Sequence, residues 1–298
     1  MDAVRLHAAG LDGLVVETIE TPTPRSGEAL VRVHAAAITR HELDWPLDRL
    51  PAIPSHELSG VVAAVGAGSD GLAVGDAVYA LTGFDRDGVA AEYAAVAADL
   101  LASKPSTLDH VASAAAPLAA LSAWQGLFDH GRLDEGERVL IHGAAGGVGH
   151  LATQLARWRG AHVIGTASPD SLDAARAYGA HEVVDGKNGH FEEIGPVELV
   201  FDTVGGDLLA RSPAVLSDGG RIVSVAEEPP EGTYFVVEPS REQLTRIAGL
   251  IDGGALRPAI DAVFPLSEAR AAFERSLASG KRGKVVLRVA EEFGPDDL

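Results

Sequence analysis

The clearest chemical pattern in the chain is seven residues long: Gly143-Ala144-Ala145-Gly146-Gly147-Val148-Gly149. It lies between an apolar run, 139–142, and a segment, 148–158, in which Val148, Leu151, Ala152, Leu155 and Ala156 recur at helical spacing. Glycine admits positive φ and lets the backbone come close to a ligand. The first turn of a helix offers unpaired N–H groups and the positive end of its dipole. Strand, glycine turn and helix in that order make the first unit of a dinucleotide-binding fold, with a pyrophosphate on the helix tip. Gly143, Ala145, Gly146, Gly147 and Val148 are therefore cofactor-binding candidates, although Ala145 stands where G-x-G-x-x-G has its second glycine. The competing reading is a tight turn that needs small residues only for packing. The strand-like segments that follow in βα rhythm weigh against it.

Such a fold selects its cofactor at the end of its second strand, where an acidic residue binds the ribose of NAD. Here that strand ends Gly165-Thr166-Ala167-Ser168, with no carboxylate. Small hydroxyl residues leave room for a 2′-phosphate, so NADPH is expected, with Thr166 and Ser168 at the adenosine ribose. NADH stays open beside it. No Arg or Lys follows at once, and Asp170 would repel a phosphate if it pointed inward. Tyr178 either covers the adenine end or simply closes a helix before Gly179.

The elements that must position these groups fall into two parts, as the 298-residue length suggests. Segments 29–34, 60–66, 75–81 and 92–96 read as short strands punctuated by glycine, a compact and barrel-like β-rich unit. Residues 108–130 are alanine-rich at helical spacing, with Pro117 at a break. From 138 onward, strands at 139–142, 161–165, 182–184, 198–201 and 221–225 alternate with helices at 148–158 and 170–178. That rhythm predicts a parallel sheet covered on both faces. Helices at 240–252 and 266–277, a strand at 284–289 and a frayed acidic tail at 291–298 complete the pattern.

Composition narrows the function classes. With 46% hydrophobic and 22% charged residues the chain has ample core, which excludes a disordered or fibrous protein. A formal charge of −19 disfavours nucleic acid and anionic membrane as partners. Zero cysteine leaves no disulfide and no thiolate metal site. No apolar run approaches about 18 residues and the first residues lack a signal-peptide pattern, so a cytoplasmic location is expected.

Several motifs together resemble a known family. Pro54-Ser55-His56-Glu57-Leu58-Ser59-Gly60, with Gly66 and Gly75-Asp76-Ala77-Val78, resembles the N-terminal signature of the medium-chain dehydrogenases/reductases. Ala119-Ala120-Leu121-Ser122-Ala123-Trp124, the glycine turn, Asp202-Thr203-Val204-Gly205-Gly206 and Gly283-Lys284-Val285-Val286-Leu287 are similar to its quinone oxidoreductase branch. The resemblance covers nearly the whole chain. It implies an α/β protein: a GroES-like β-rich catalytic domain over 1–112, completed by 264–298, and a Rossmann doubly wound parallel sheet over 113–263. It also implies a cleft between them for substrate and cofactor, and a homodimer or a homotetramer, of which the homodimer is expected.

The resemblance also bears on metal. His56-Glu57 resembles the Gly-His-Glu signature of the zinc alcohol dehydrogenases, with Ser55 in place of the glycine. Yet Thr39 stands at the position of the first cysteine ligand, and Leu118, four before Ser122, at that of the third. The four-cysteine lobe is absent. Zinc needs three protein ligands, so a zinc-independent member is expected.

Without a Lewis acid an alkoxide goes unstabilised. A quinone or α,β-unsaturated carbonyl can instead take a hydride and spread the charge onto oxygen, the protein supplying orientation and water exclusion. The expected reaction is NADPH-dependent reduction of a quinone or of an activated alkene, an enone or enal. Thr39 is the candidate to hydrogen-bond the acceptor oxygen or the nicotinamide ribose. His41 is the candidate proton donor or else a surface histidine. By resemblance Ser122 approaches the nicotinamide, and Val204, Val225 and Ala226 follow strand ends that receive ligands. Phe235 faces the nicotinamide or belongs to an inter-subunit strand. Trp45, Tyr79 and Tyr93 line the pocket or pack the core. Two other readings stay open: an NADPH-binding sensor or structural protein without turnover, and a zinc-independent alcohol dehydrogenase.

Overall fold

The structure is a computed structural model that describes residues 1–45 and 48–290; the expected acidic tail, 291–298, lies outside the described residues. The parallel sheet comprises Arg138–His142, His162–Ala167, Glu182–Asp185, Val197–Asp202, Leu216–Ser224 and Thr233–Tyr234. Numbered in chain order, these strands lie in space as third, second, first, fourth, fifth and sixth. All pairings are parallel, which is the doubly wound order. Its switch point falls between Arg138–His142 and Val197–Asp202.

Period-two alternation feeds the two faces of this sheet. Val139 and Ile141 pack with Leu121, Leu151, Leu155 and Leu244 on one side. Leu140 packs with Ile164, Val200 and Phe191 on the other. Helix Gly149–Trp158 buries the stripe Leu151, Ala152, Leu155 and Ala156 seen in its sequence. Pro117 opens helix Pro117–Trp124 as its first residue, where its missing N–H costs nothing. That helix then widens into a π-helical turn, Gln125–His130. Gly126 has to be glycine there: a Cβ would lie 2.2 Å from Cε2 of Phe201.

The second sheet is organised around the long strand Glu28–Ile38. One edge pairs with Glu57–Val65. The other edge is shared, Tyr93–Ala97 taking residues 28–32 and Lys284–Arg288 taking residues 35–38. Ala77–Leu81 and Ala102–Ser103 extend it on one side, and Ile260–Pro265 on the other. A strand from the far end of the chain thus completes the sheet begun near the start.

Polar contacts tie the two sheets together. Tyr79 donates its hydroxyl to the Leu244 carbonyl at 2.6 Å. The Asp252 carboxylate accepts from the N–H and hydroxyl groups of both Ser106 and Thr107. Tyr79 is fully buried and so belongs to this seam. Phe201, also fully buried, is the side chain on which the π-helical turn closes. Phe201→Ala is expected to lower unfolding free energy by about 3–5 kcal/mol, measured by urea denaturation.

Candidate active site

The glycine turn sits at the carboxyl ends of the strands, beside the switch point. Gly143 has φ 74°, and a Cβ there would lie 2.8 Å from Thr203 Oγ1. Gly149 tolerates no side chain, because a Cβ would lie 2.0 Å from the Gly143 carbonyl oxygen. Gly147 is different: its nearest neighbours would be Lys284 Cδ at 3.7 Å and the Gly283 oxygen at 3.9 Å. Among the described residues no acceptor meets the N–H groups of Gly147, Val148 and Gly149, whereas that of His150 already reaches the Gly146 carbonyl. Free donors at a helix start, above a glycine open to the cleft, fit a diphosphate.

His150 locks this turn against the other sheet. Its Nδ1 donates to the Gly146 carbonyl at 2.9 Å, and its Nε2 accepts from the Ala259 N–H at 2.9 Å. That pattern requires the neutral ring. Burial holds its pKa down at about 4. Two residues past Ala259 the chain enters the strand that pairs with Lys284–Arg288.

Lys284 stands where the turn meets the β-rich unit. Its Nζ donates to Glu57 Oε1 at 2.5 Å and to Thr39 Oγ1 at 3.1 Å. Thr39 in turn donates to Glu57 Oε1 at 3.3 Å, and Glu57 Oε2 accepts the Leu118 N–H at 2.8 Å. Lys284 and Glu57 are 5% and 0% exposed, so this is a buried ion pair. Sequence reasoning had placed Glu57 and Lys284 only inside motifs. Their pairing spans 227 positions, and no local signal announces it. Glu42 lies beneath them with Oε2 accepting the Thr39 N–H at 3.1 Å. Burial raises its pKa to about 8, so it is largely protonated at neutral pH.

The other candidates are scattered around this centre. His41 is exposed, in the left-handed region at φ 64°, with Nδ1 4.0 Å from Asp44 Oδ2. His56 is buried; its Nδ1 lies 3.3 Å from Thr82 Oγ1, and its ring packs on Trp45 and Phe84. Burial lowers its pKa to about 4. Ser122 is buried in helix Pro117–Trp124. Thr166 is buried, its Oγ1 3.1 Å from His142 Nδ1 and accepting the Gly143 N–H. It braces the turn from inside, while Ser168 bonds Ser171 at the partly open end of the strand. Tyr178 is half-buried, its ring 5.4 Å from that of His150. Val204 and Ala226 are exposed and Val225 half-buried at the strand ends. Phe235 is buried against the His130 ring at 4.4 Å, on the core side of the sheet.

A doubly wound sheet with a free-amide helix tip, joined to a β-rich unit whose buried Glu57 accepts the Leu118 N–H, defines a two-domain dinucleotide-binding oxidoreductase. Comparison with known proteins agrees. Residues 25–106 match the family described as alcohol dehydrogenase GroES-like domain, and residues 178–287 the family described as zinc-binding dehydrogenase. The quinone oxidoreductase of Mus musculus is 30% identical over 90% of this chain and 91% of its own. An NADPH-dependent alkenal/one oxidoreductase of Arabidopsis thaliana is 32% identical over 93% of this chain and 76% of its own. The solved quinone oxidoreductase of Coxiella burnetii superimposes with a TM-score of 0.92 at 30% identity, covering 97% of this chain and 99% of that one. The chain belongs to the medium-chain dehydrogenase/reductase family, in its quinone oxidoreductase-like branch, and is a nicotinamide-dependent oxidoreductase. No helix among the described residues is long and apolar enough to cross a membrane.

Two predictions follow from this geometry. Lys284→Met leaves the Glu57 carboxylate buried without its cation and is expected to cost about 3–5 kcal/mol of stability. Adding Glu57→Met should recover most of that loss in a denaturation experiment. The second concerns pH. His56 and His150 titrate near 6.5 when unfolded but near 4 when folded, and His142, buried, near 3. The unfolded chain therefore binds more protons between these values, so stability falls as pH drops from about 6.5 towards 4. His150→Gln should flatten part of that acid limb in urea titrations at pH 7 and pH 5.

Proposed function

We propose that the chain reduces a quinone or an α,β-unsaturated carbonyl with NADPH and without a metal. The observation that carries this reading is the set of free N–H groups at Gly147, Val148 and Gly149, with the Lys284 side chain close to Gly147. Lys284 links that cradle directly to Thr39. Gly143, Ala145 and Gly146 shape the cradle, Ser168 and Tyr178 flank its adenosine end, and Ser122, Val204, Val225 and Ala226 border the nicotinamide end. When bound, the reduced nicotinamide supplies the hydride.

The residues of the chain hold the acceptor and the charge that develops on it. Thr39 turns its hydroxyl proton from Glu57 Oε1 to the acceptor oxygen, with the Lys284 ammonium 3.1 Å behind Thr39 Oγ1 to favour negative charge there. Glu57 holds Lys284 in place and is itself held by the Leu118 N–H. His41, exposed beside Thr39 in sequence, is the proton donor of this reading. The metal-free reading rests on donor chemistry: Thr39 and Leu118 offer neither imidazole nor thiolate, and Glu57 is committed to Lys284. That leaves too few ligands around His56 for a tetrahedral site. Relatives named for quinone and alkenal reduction support the substrate class. The reading takes the chain as a cytoplasmic homodimer. Tyr234, exposed in the last strand of the parallel sheet, and Val236, exposed two residues beyond it, support the dimer.

The test is direct. Purified protein is expected to oxidise NADPH with a panel of small quinones and enones. Gly147→Asp is expected to weaken NADPH binding by at least roughly a hundredfold, because a carboxylate would face the diphosphate. Its melting temperature should move little, since a Cβ there meets only ordinary contacts at 3.7 and 3.9 Å. Unchanged affinity would move the cofactor elsewhere. Tight NADPH binding with no turnover across the panel would leave a binding protein rather than a reductase.

A further inference from the structure

In a chain of net charge −19, the cleft between the two sheets gathers cations. Lys284 lies against Gly147. Burial, helped by the nearby cations Arg40 and Lys284, lowers the pKa of Lys281, in the loop just before Lys284, to about 8. Arg282 completes the group and does something its neighbours do not. From a loop that leads into the last strand of the β-rich unit, it crosses the cleft and donates through Nη2 to the Asp170 carbonyl. Asp170 lies three residues beyond His162–Ala167, the second strand of the parallel sheet. Burial raises the Tyr178 pKa, and the nearby Arg282 guanidinium partly opposes that rise.

The loop that carries Arg282 is anchored at several points. The Arg282 N–H donates to Asp261 Oδ1 at 2.9 Å, and the same carboxylate holds Arg275 through two bonds of 2.6 and 2.9 Å. Gly283, at φ 98°, passes so close to Ala259 that a Cβ would lie 2.1 Å from its carbonyl oxygen. The Lys284 N–H then bonds that same oxygen at 2.9 Å. The position of Arg282 is thus set before any ligand arrives. Among the described residues its guanidinium forms no ion pair; its partner on Asp170 is the carbonyl, not the carboxylate. An exposed arginine held at the end of the second strand of a dinucleotide fold stands where a ribose 2′-phosphate would lie. Its planar fork matches that phosphate.

We infer that Arg282, delivered from the β-rich unit rather than from the dinucleotide fold itself, is the residue that selects NADPH over NADH. This rests on the NADPH reading above and gives it a residue. Asp170 directs its carbonyl to Arg282 as a strut, and Ser168 lines the opening from the side of the strand.

The test measures binding, not turnover. Dissociation constants for NADPH, NADH, 2′,5′-ADP and 5′-AMP are compared by calorimetry for the wild-type chain and Arg282→Gln. The expected result is a loss of at least about tenfold for NADPH and 2′,5′-ADP, the ligands with the phosphate, and a change within about twofold for NADH and 5′-AMP. A salt titration should show a shallower dependence for the variant with 2′,5′-ADP only. Equal weakening of all four ligands would make Arg282 a structural strut and overturn the inference. So would an unchanged NADPH affinity in a variant that melts like wild type. A wild-type chain that binds NADH in preference to NADPH overturns the inference and the choice of NADPH, while turnover of quinones or enones keeps the reductase reading. A wild-type chain that binds neither dinucleotide overturns the functional reading and the inference with it.

Discussion

Lys284 and Glu57 are 227 positions apart in the chain and 2.5 Å apart in the fold, and both are almost wholly withdrawn from water. Burying two charges costs several kcal/mol per ion before their attraction and hydrogen bonds repay it. Here the repayment involves Thr39, the Leu118 amide and the ion pair itself, and every one of these partners comes from a different element. The last strand, the second strand of the β-rich sheet and the end of its long central strand meet at the ammonium, and the helix Pro117–Trp124 joins them through the Glu57 carboxylate. An apolar pair could hold the same elements together. It would not present a cation beside an open helix tip.

Much of the dinucleotide unit was legible because parallel strands buried on both faces read as unbroken apolar runs. Strands Arg138–His142 and Val197–Asp202 and the stripe of helix Gly149–Trp158 lie within a residue or two of where the sequence places them. The strand expected at 221–225 begins earlier, at Leu216, because Gly219 and Gly220 sit inside an irregular stretch of pairing rather than in a turn before it. The strands Asp2–Leu6 and Leu14–Thr18 escaped notice. Their pairing buries only part of the second strand, so Val15 and Val16 stay exposed and the apolar pattern does not match a strand with one dry face. Ile260–Pro265 was missed because its burial is partial throughout.

The site divides along the same line. Everything carried by consecutive residues could be read: the glycine turn, its helix and the hydroxyl residues at the end of the second strand. What depends on chain crossings could not. The absence of a basic residue after Ser168 argued against a phosphate there, yet the loop before Lys284 brings Arg282 to that point from more than a hundred positions away. Thr166 shows the converse, since a hydroxyl in the expected place is turned inward and bonded to the Gly143 amide. A linear motif reports which residues are near a turn, and only packing reports which way they face.

The shared edge of Glu28–Ile38 bears on how the molecule is made. Residues 35–38 of that strand pair with Lys284–Arg288, which leaves the ribosome long after them and after every strand of the parallel sheet. All strands of the parallel sheet lie between 138 and 234, so that unit can close on itself while synthesis continues. The β-rich sheet must wait, with part of one edge bare. Bare edges recruit strands from other molecules, so the nascent chain is most exposed to misassembly in the interval before its final strand docks.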